Sequence, residues 1–123
     1  MIKKKWIFGG LIAVCCTACD DFIEEDISDN RVNILAPKDK VMLDSNQLTL
    51  VWEELEGAES YHVVVVSPSF DDIVYYACDS VTEDYKLNVS LPNGIYEWSV
   101  QAVNSAYTSL KSCDKFQIVG DEK

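Results

Sequence analysis

Tyr96-Glu97-Trp98-Ser99-Val100-Gln101-Ala102 alternates large apolar with polar side chains without a break. A β-strand points successive side chains to opposite faces. This order therefore places Tyr96, Trp98, Val100 and Ala102 on one side and Glu97, Ser99 and Gln101 on the other. Leu91-Pro92-Asn93-Gly94, just before it, is turn chemistry. Working outward, runs of the same kind recur: Val32–Leu35 leading through Pro37 to Val41–Leu43, Leu48–Glu53, Tyr61–Val66, Ile73–Cys78, Tyr85–Leu91 and Phe116–Val119. Turn residues separate them, at Asp44-Ser45-Asn46, Glu56-Gly57-Ala58, Ser67-Pro68-Ser69 with Asp71-Asp72, and Asn104-Ser105. Seven short strands with frequent turn signals predict an all-β sandwich over residues 31–120.

The alternation also assigns faces. Leu48, Leu50 and Trp52 point inward from the second strand, and Tyr61, Val63 and Val65 from the third. Burying side chains of this size contributes roughly 1.5–3 kcal/mol each before entropy is counted. The third strand is apolar on both sides, so Val64 and Val66 face out. The sixth strand adds Val103 beside them, and of the adjacent Tyr75 and Tyr76 one ring must also face out. That predicts an exposed apolar strip, the kind of surface that marks an interface. Tyr107, in the loop before the last strand, joins Tyr75 and Tyr76 as a candidate aromatic contact.

The first nineteen residues read differently. Lys3-Lys4-Lys5 precedes a short apolar run that ends in Cys15-Cys16-Thr17-Ala18-Cys19. A charged start, an apolar middle and a small-residue cleavage site make a secretory signal. The run is shorter than the roughly 20 apolar residues of a spanning helix. A cysteine directly after Ala18 resembles the lipobox of bacterial lipoproteins, although Cys16 stands where most carry Leu. The resemblance implies cleavage before Cys19 and acylation of its thiol, which would hold the chain to a membrane. Residues 1–18 are then the signal peptide, 19–30 the lipidated N-terminus with an acidic tether, and 121–123 a tail. Plain secretion and a short anchor are the alternatives. The acidic run from Asp20 resembles the export signal of Bacteroidota-type lipoproteins and implies an outer-membrane, surface-exposed location. The enterobacterial sorting rule would read Asp20 as inner-membrane retention instead.

The whole chain carries 21 acidic and 10 basic residues, a formal net charge of −11. Removing the signal takes three of those lysines with it. So acidic a chain does not suit nucleic acid.

The sandwich residues resemble a fibronectin type III domain. Trp52 stands as the tryptophan of the second strand and Tyr61 as the tyrosine opening the third. Leu91-Pro92-Asn93-Gly94-Ile95-Tyr96 resembles the approach to a tyrosine corner, and Tyr96 through Asn104 resembles the sixth strand. The resemblance implies seven strands in two sheets and a binding or spacing role. It also implies that Cys78 and Cys113 lie at opposite edges of a four-stranded sheet. Three strand spacings put them about 14 Å apart, beyond the roughly 7 Å that a disulfide can bridge.

Residues for catalysis are not apparent. His62 is the single histidine and stands mid-strand, without the partners of a triad or a metal site. No phosphate loop, nucleophile elbow or paired-cysteine motif occurs, and no cofactor is expected. Asp79-Ser80-Val81 resembles a Bacteroidota O-glycosylation site, with Ser80 as acceptor in an expected loop. The resulting expectation is a non-catalytic, membrane-anchored lipoprotein that serves as a protein-interaction or structural module of the cell envelope. The alternative is an accessory glycan binder of a polysaccharide-uptake system.

Overall fold

A computed structural model describes residues 25–120. The signal peptide, Cys19, the start of the tether and the tail at 121–123 lie outside the described residues. Eight strands follow in order: β1 (Ile34–Ala36), β2 (Val41–Leu43), β3 (Gln47–Trp52), β4 (Ser60–Ser69), β5 (Asp72–Thr82), β6 (Lys86–Ser90), β7 (Gly94–Val103) and β8 (Ser112–Ile118). They form a three-stranded sheet, β1-β3-β6, and a five-stranded sheet, β2-β8-β7-β4-β5. The result is a two-sheet, all-β sandwich.

The eighth strand comes from the first predicted one. That segment breaks after Ala36 and changes sheets, leaving β1 antiparallel to β3 and carrying β2 across to lie parallel to β8. The crossing turns at Asp39 and Lys40, both at φ 60°. The Asp39 amide donates to Asp114 Oδ1 (2.7 Å) and the Lys40 amide to the Lys115 carbonyl (3.0 Å), which pins the turn to β8.

The inner face is as the alternation predicts. Leu50, Trp52, Tyr61, Val63, Val65, Tyr96, Trp98, Val100 and Ala102 are all buried. Trp52 packs against Tyr61 and Trp98 at centroid distances of 5.7 and 6.1 Å, and Tyr96 stacks on Phe116 at 5.4 Å. Rings of this size dominate the energetics of so small a core. Their polar atoms are mostly satisfied: Trp98 Nε1 donates to the Pro37 carbonyl, and Tyr61 Oη accepts the Leu55 amide. Trp52 Nε1 is buried without a hydrogen-bond partner. The tyrosine corner forms, with the Tyr96 hydroxyl donating to the Pro92 carbonyl at 2.7 Å.

Two expectations about boundaries change. The acidic tether read over 19–30 does not stay clear of the domain: Ile27 is fully buried in the core cluster. It seats against Gly57, where the lack of a side chain leaves the needed space: a Cβ there would stand 2.9 Å from Ile27 Cγ2, and the φ of +94° independently favours glycine. Asn104, buried at the end of β7, fastens the arrangement. Its side-chain amide donates to the Glu25 and Gly57 carbonyls, and its Oδ1 accepts the Ala106 and Tyr107 amides. The second change concerns the cysteines. Cys113 is not at a sheet edge, because β2 lies outside β8. Both thiols are free. Cys78 aligns with inward Val65 and Cys113 with outward Ser99, so β4 and β7 intervene and the two side chains take opposite faces.

Candidate functional site

The surface that could meet a partner is the outer face of the five-stranded sheet and its free edge at β5. Register places His62, Val64 and Val66 of β4 on that face, opposite Gln101, Ser99 and Glu97 of β7. On the other side they meet Val81, Asp79 and Tyr76 of β5.

The outward direction of Val64 and Val66 is as expected, but their exposure is not. Val64 is 8% exposed and Val66 0%. Both are short side chains on a strand with a neighbour on each side, and the longer Tyr76 and Glu97 flank Val66 in register. Neither joins the interior cluster. Val103 is half-buried, so the predicted strip Val64–Val66–Val103 is not an open apolar surface.

The open surface lies one strand further out. β5 exposes Ile73 (37%), Val74 (72%), Tyr75 (43%), Tyr76 (63%) and Val81 (68%). It is 11 residues long and, among the described residues, pairs with β4 alone, leaving its other edge without a strand partner. A long apolar edge is a template for another chain unless something blunts it. Here the blunting is partial. The register shifts near Ala77 and Val74 bulge the strand, and Asp72 and Asp79 charge it, but it carries no lysine or proline.

The tyrosines do not gather into one platform. The Tyr75 hydroxyl lies 3.2 Å from that of Tyr96 and is tied to the corner. Tyr76 aligns through Val66 with Glu97, near the start of β7, whereas Tyr107 follows its far end, with its amide held by Asn104. Six residues of strand, roughly 20 Å, separate those levels.

Ser80 is a correction. It lies within β5 opposite Val63, half-buried, not in a loop, because β5 runs on to Thr82 beyond the expected end at Cys78. The pairing with β4 sustains that extension.

The sequence also missed a pair. His62 Nε2 lies 2.6 Å from Asp79 Oδ1, an exposed bridge from β4 to β5. Seventeen residues separate them, and only the strand register brings them together.

The remaining ionisable chemistry is local. The Cys113 thiol is pushed up, first by partial desolvation and then by the Glu97 carboxylate, so it resists forming a nucleophilic thiolate. The Tyr85 phenol is raised chiefly by its hydrogen bond to Glu54, and Asp26 is lowered by its bond from the Ser28 side chain. Among the described residues, no group of three His, Cys, Asp or Glu side chains is arranged to hold a metal ion.

The same fold occurs in fibronectin type III domains of known structure. FN3tt shares 22% identity over 72% of this chain and 86% of its own, with a TM-score of 0.50. The fibronectin type III domain from human KIAA0970 protein shares 15% over 94% of this chain and 88% of its own, with a TM-score of 0.58. The fibronectin(III)-like modules of Clostridium thermocellum CbhA share 17% over 74% of this chain and 99% of their own, with a TM-score of 0.55. Identities this low carry the fold and nothing finer. No protein-family model matches the chain, and no curated protein sequence does.

Proposed function

We propose that the protein is a non-catalytic, lipid-anchored module that holds a protein partner at the cell envelope. The observation that carries the interaction reading is the β5 edge: 11 residues, five of them large and apolar with exposures from 37% to 72%, bordering no strand but β4 among the described residues. Edge strands of this kind bind by adding a strand: main-chain bonds supply affinity and alternate side chains supply selectivity. The packed interior leaves the sandwich as a rigid support for that edge.

The anchor is Cys19, with residues 1–18 as signal peptide and the acidic run after it as the tether that stands the sandwich off an outer membrane. The lipobox-like Ala18-Cys19 junction and the lysines before the apolar run support this part. The sandwich starts within a few residues of the anchor, because Ile27 is already part of the core. A partner is therefore met close to the membrane surface.

Intact-mass analysis of membrane-fractionated protein tests the anchor. A mass gain of acyl chains on Cys19, lost together with membrane association in Cys19→Ala, is the expected result. An unmodified Cys19 in the membrane fraction contradicts it. Crosslinking in intact cells, followed by purification, tests the partner. One crosslinked species should vanish in Val74→Lys with Tyr76→Lys and persist in Lys86→Glu, on the other sheet. Loss in all variants, or in none, contradicts a β5 interface.

A further inference from the structure

The charges of the sandwich are sorted between the two edges of its larger sheet. From Ser60 to Tyr85, the span of β4, β5 and the loop after them, there are five acidic residues (Asp71, Asp72, Asp79, Glu83 and Asp84) and no lysine or arginine. At the opposite edge five basic residues outnumber three acidic ones, Asp39, Asp44 and Asp114. Arg31, Lys38, Lys40, Lys111 and Lys115 cluster around β2 and β8, and they are five of the six basic residues between 25 and 120. The sixth, Lys86, lies on β6 in the other sheet.

Backbone geometry holds the basic group together. Arg31 bridges Leu110, and its guanidinium donates to the Lys111 carbonyl. The Lys40 amide is bonded to the Lys115 carbonyl. Two adjoining hollows meet at Cys113 and Asp114, one lined by Arg31 and Lys38 and the other by Lys40 and Lys115. Three carboxylates share these hollows: Asp39 lines both, and Asp114 and Glu97 are hydrogen-bonded. Asp114 accepts the Asp39 and Lys115 amides, and Glu97 accepts the Phe70 amide. Among the described residues, no lysine or arginine forms a salt bridge.

Both edges also expose apolar side chains: Val74, Tyr76 and Val81 on β5, and Val41 (39%) and Met42 (62%) on β2, with Ile95 (53%) on the nearby outer face. Three pairings of edges between copies are conceivable. β5 against β5 sets five carboxylates against five. The basic edge against itself sets one net positive surface against another. Only β5 against the β2–β8 edge is complementary in charge while covering apolar surface on both sides. Like charges across an interface are a strong selector against wrong partners.

We propose that copies of this chain associate head to tail, with the acidic β5 edge of one seated on the basic β2–β8 edge of the next. This rests on the reading of β5 as an interaction edge and names its partner as a second copy. Such a contact is heterologous. It leaves one edge of each kind open at the ends, so the assembly grows with concentration unless its rotation closes a ring. On a membrane the anchor would confine the copies to a plane and raise their effective concentration.

Sedimentation velocity on the purified chain tests the proposal across a wide concentration series at low salt and at about 1 M salt, where the Debye length is near 3 Å. The mean mass should rise with concentration at low salt and return to that of a monomer at high salt. Lys38→Glu with Lys115→Glu should weaken association at least tenfold, as should Asp71→Lys with Asp72→Lys. Mixing the two variants should restore a complex that neither forms alone, since each retains one intact edge and the altered edges complement each other. Restoration also shows that both variants are folded. A monomer at every concentration and salt overturns the proposal. So does a dimer indifferent to the lysine changes but lost in Val74→Lys, which would mean β5 pairing with β5. If the chain is monomeric yet the β5-dependent crosslink in cells persists, self-association is overturned while the interaction reading stands.

Discussion

β4 and β5 are adjacent in one sheet, nearly equal in length and similarly rich in apolar residues, yet their large apolar side chains tell opposite stories. In β4, Tyr61, Val63, Val64, Val65 and Val66 are buried, inner and outer positions alike, with only His62 half-exposed between them. In β5, Ile73, Val74, Tyr75, Tyr76 and Val81 are all exposed. The difference is not composition. β4 has a strand on each side, so its short branched side chains sit low between longer neighbours. β5 has one neighbour and an open edge. Position in the sheet order, which a single strand's sequence does not contain, decides which apolar run becomes core and which becomes surface.

The comparison breaks most visibly at the centre of the sheet. Trp98 aligns with Val65 and is fully buried, so Trp98→Ala should cost about 3–5 kcal/mol and leave a marginal domain largely unfolded. Denaturant titration followed by circular dichroism measures this. A loss below 1 kcal/mol would mean that the central strands are not the core.

Val66→Asp sharpens the contrast on the outer face. Val66 is fully buried although it points away from the interior, and Glu97 lies beside it in register. Burying a second carboxylate there should cost roughly 3 kcal/mol, by desolvation and by like-charge repulsion. The cost should shrink at low pH, where protonation removes the charge. A substitution tolerated as easily as one on β5 would show that the outer face of β4 is open after all.

Tyr96→Phe removes one bond and little volume. It takes away the hydroxyl that bonds Pro92 and touches Tyr75, so a loss of about 1 kcal/mol is expected. Val74→Lys sits at the bottom of the scale. At 72% exposure on the free edge, it should change stability by no more than about 0.5 kcal/mol, while removing the crosslinked partner. A large destabilisation would place β5 in the folding core instead of at its margin.

How far the sequence could be read follows from the same contrast. Strands with one wet face declare themselves by alternation, so β7 and the inward residues of β3 and β4 were legible. The Tyr96 corner was legible too, since the turn before it and the aromatic after it are close in sequence. Features set by distant pairing were hidden. The split of the first strand depends on Asp114 and Lys115 fixing the turn at Asp39 and Lys40. The burial of Ile27 depends on Gly57 and Asn104, both far along the chain. The extension of β5 through Asp79 and Ser80 depends on β4 supplying a ladder, and the His62–Asp79 bridge depends on that ladder's register. The burial of Val64 and Val66 was hidden as well, because β-branched residues facing outward look exposed until their neighbours are known.

Native-state hydrogen exchange tests the central claim most directly, on the dilute chain at high salt, where association is suppressed. Amides along β4 and β7 should exchange only through global unfolding. Those β5 amides that point away from β4 should exchange orders of magnitude faster, since no strand covers them. Protection of all β5 amides as strong as that of β4 would contradict the account, for it would mean that the edge is already occupied within the chain.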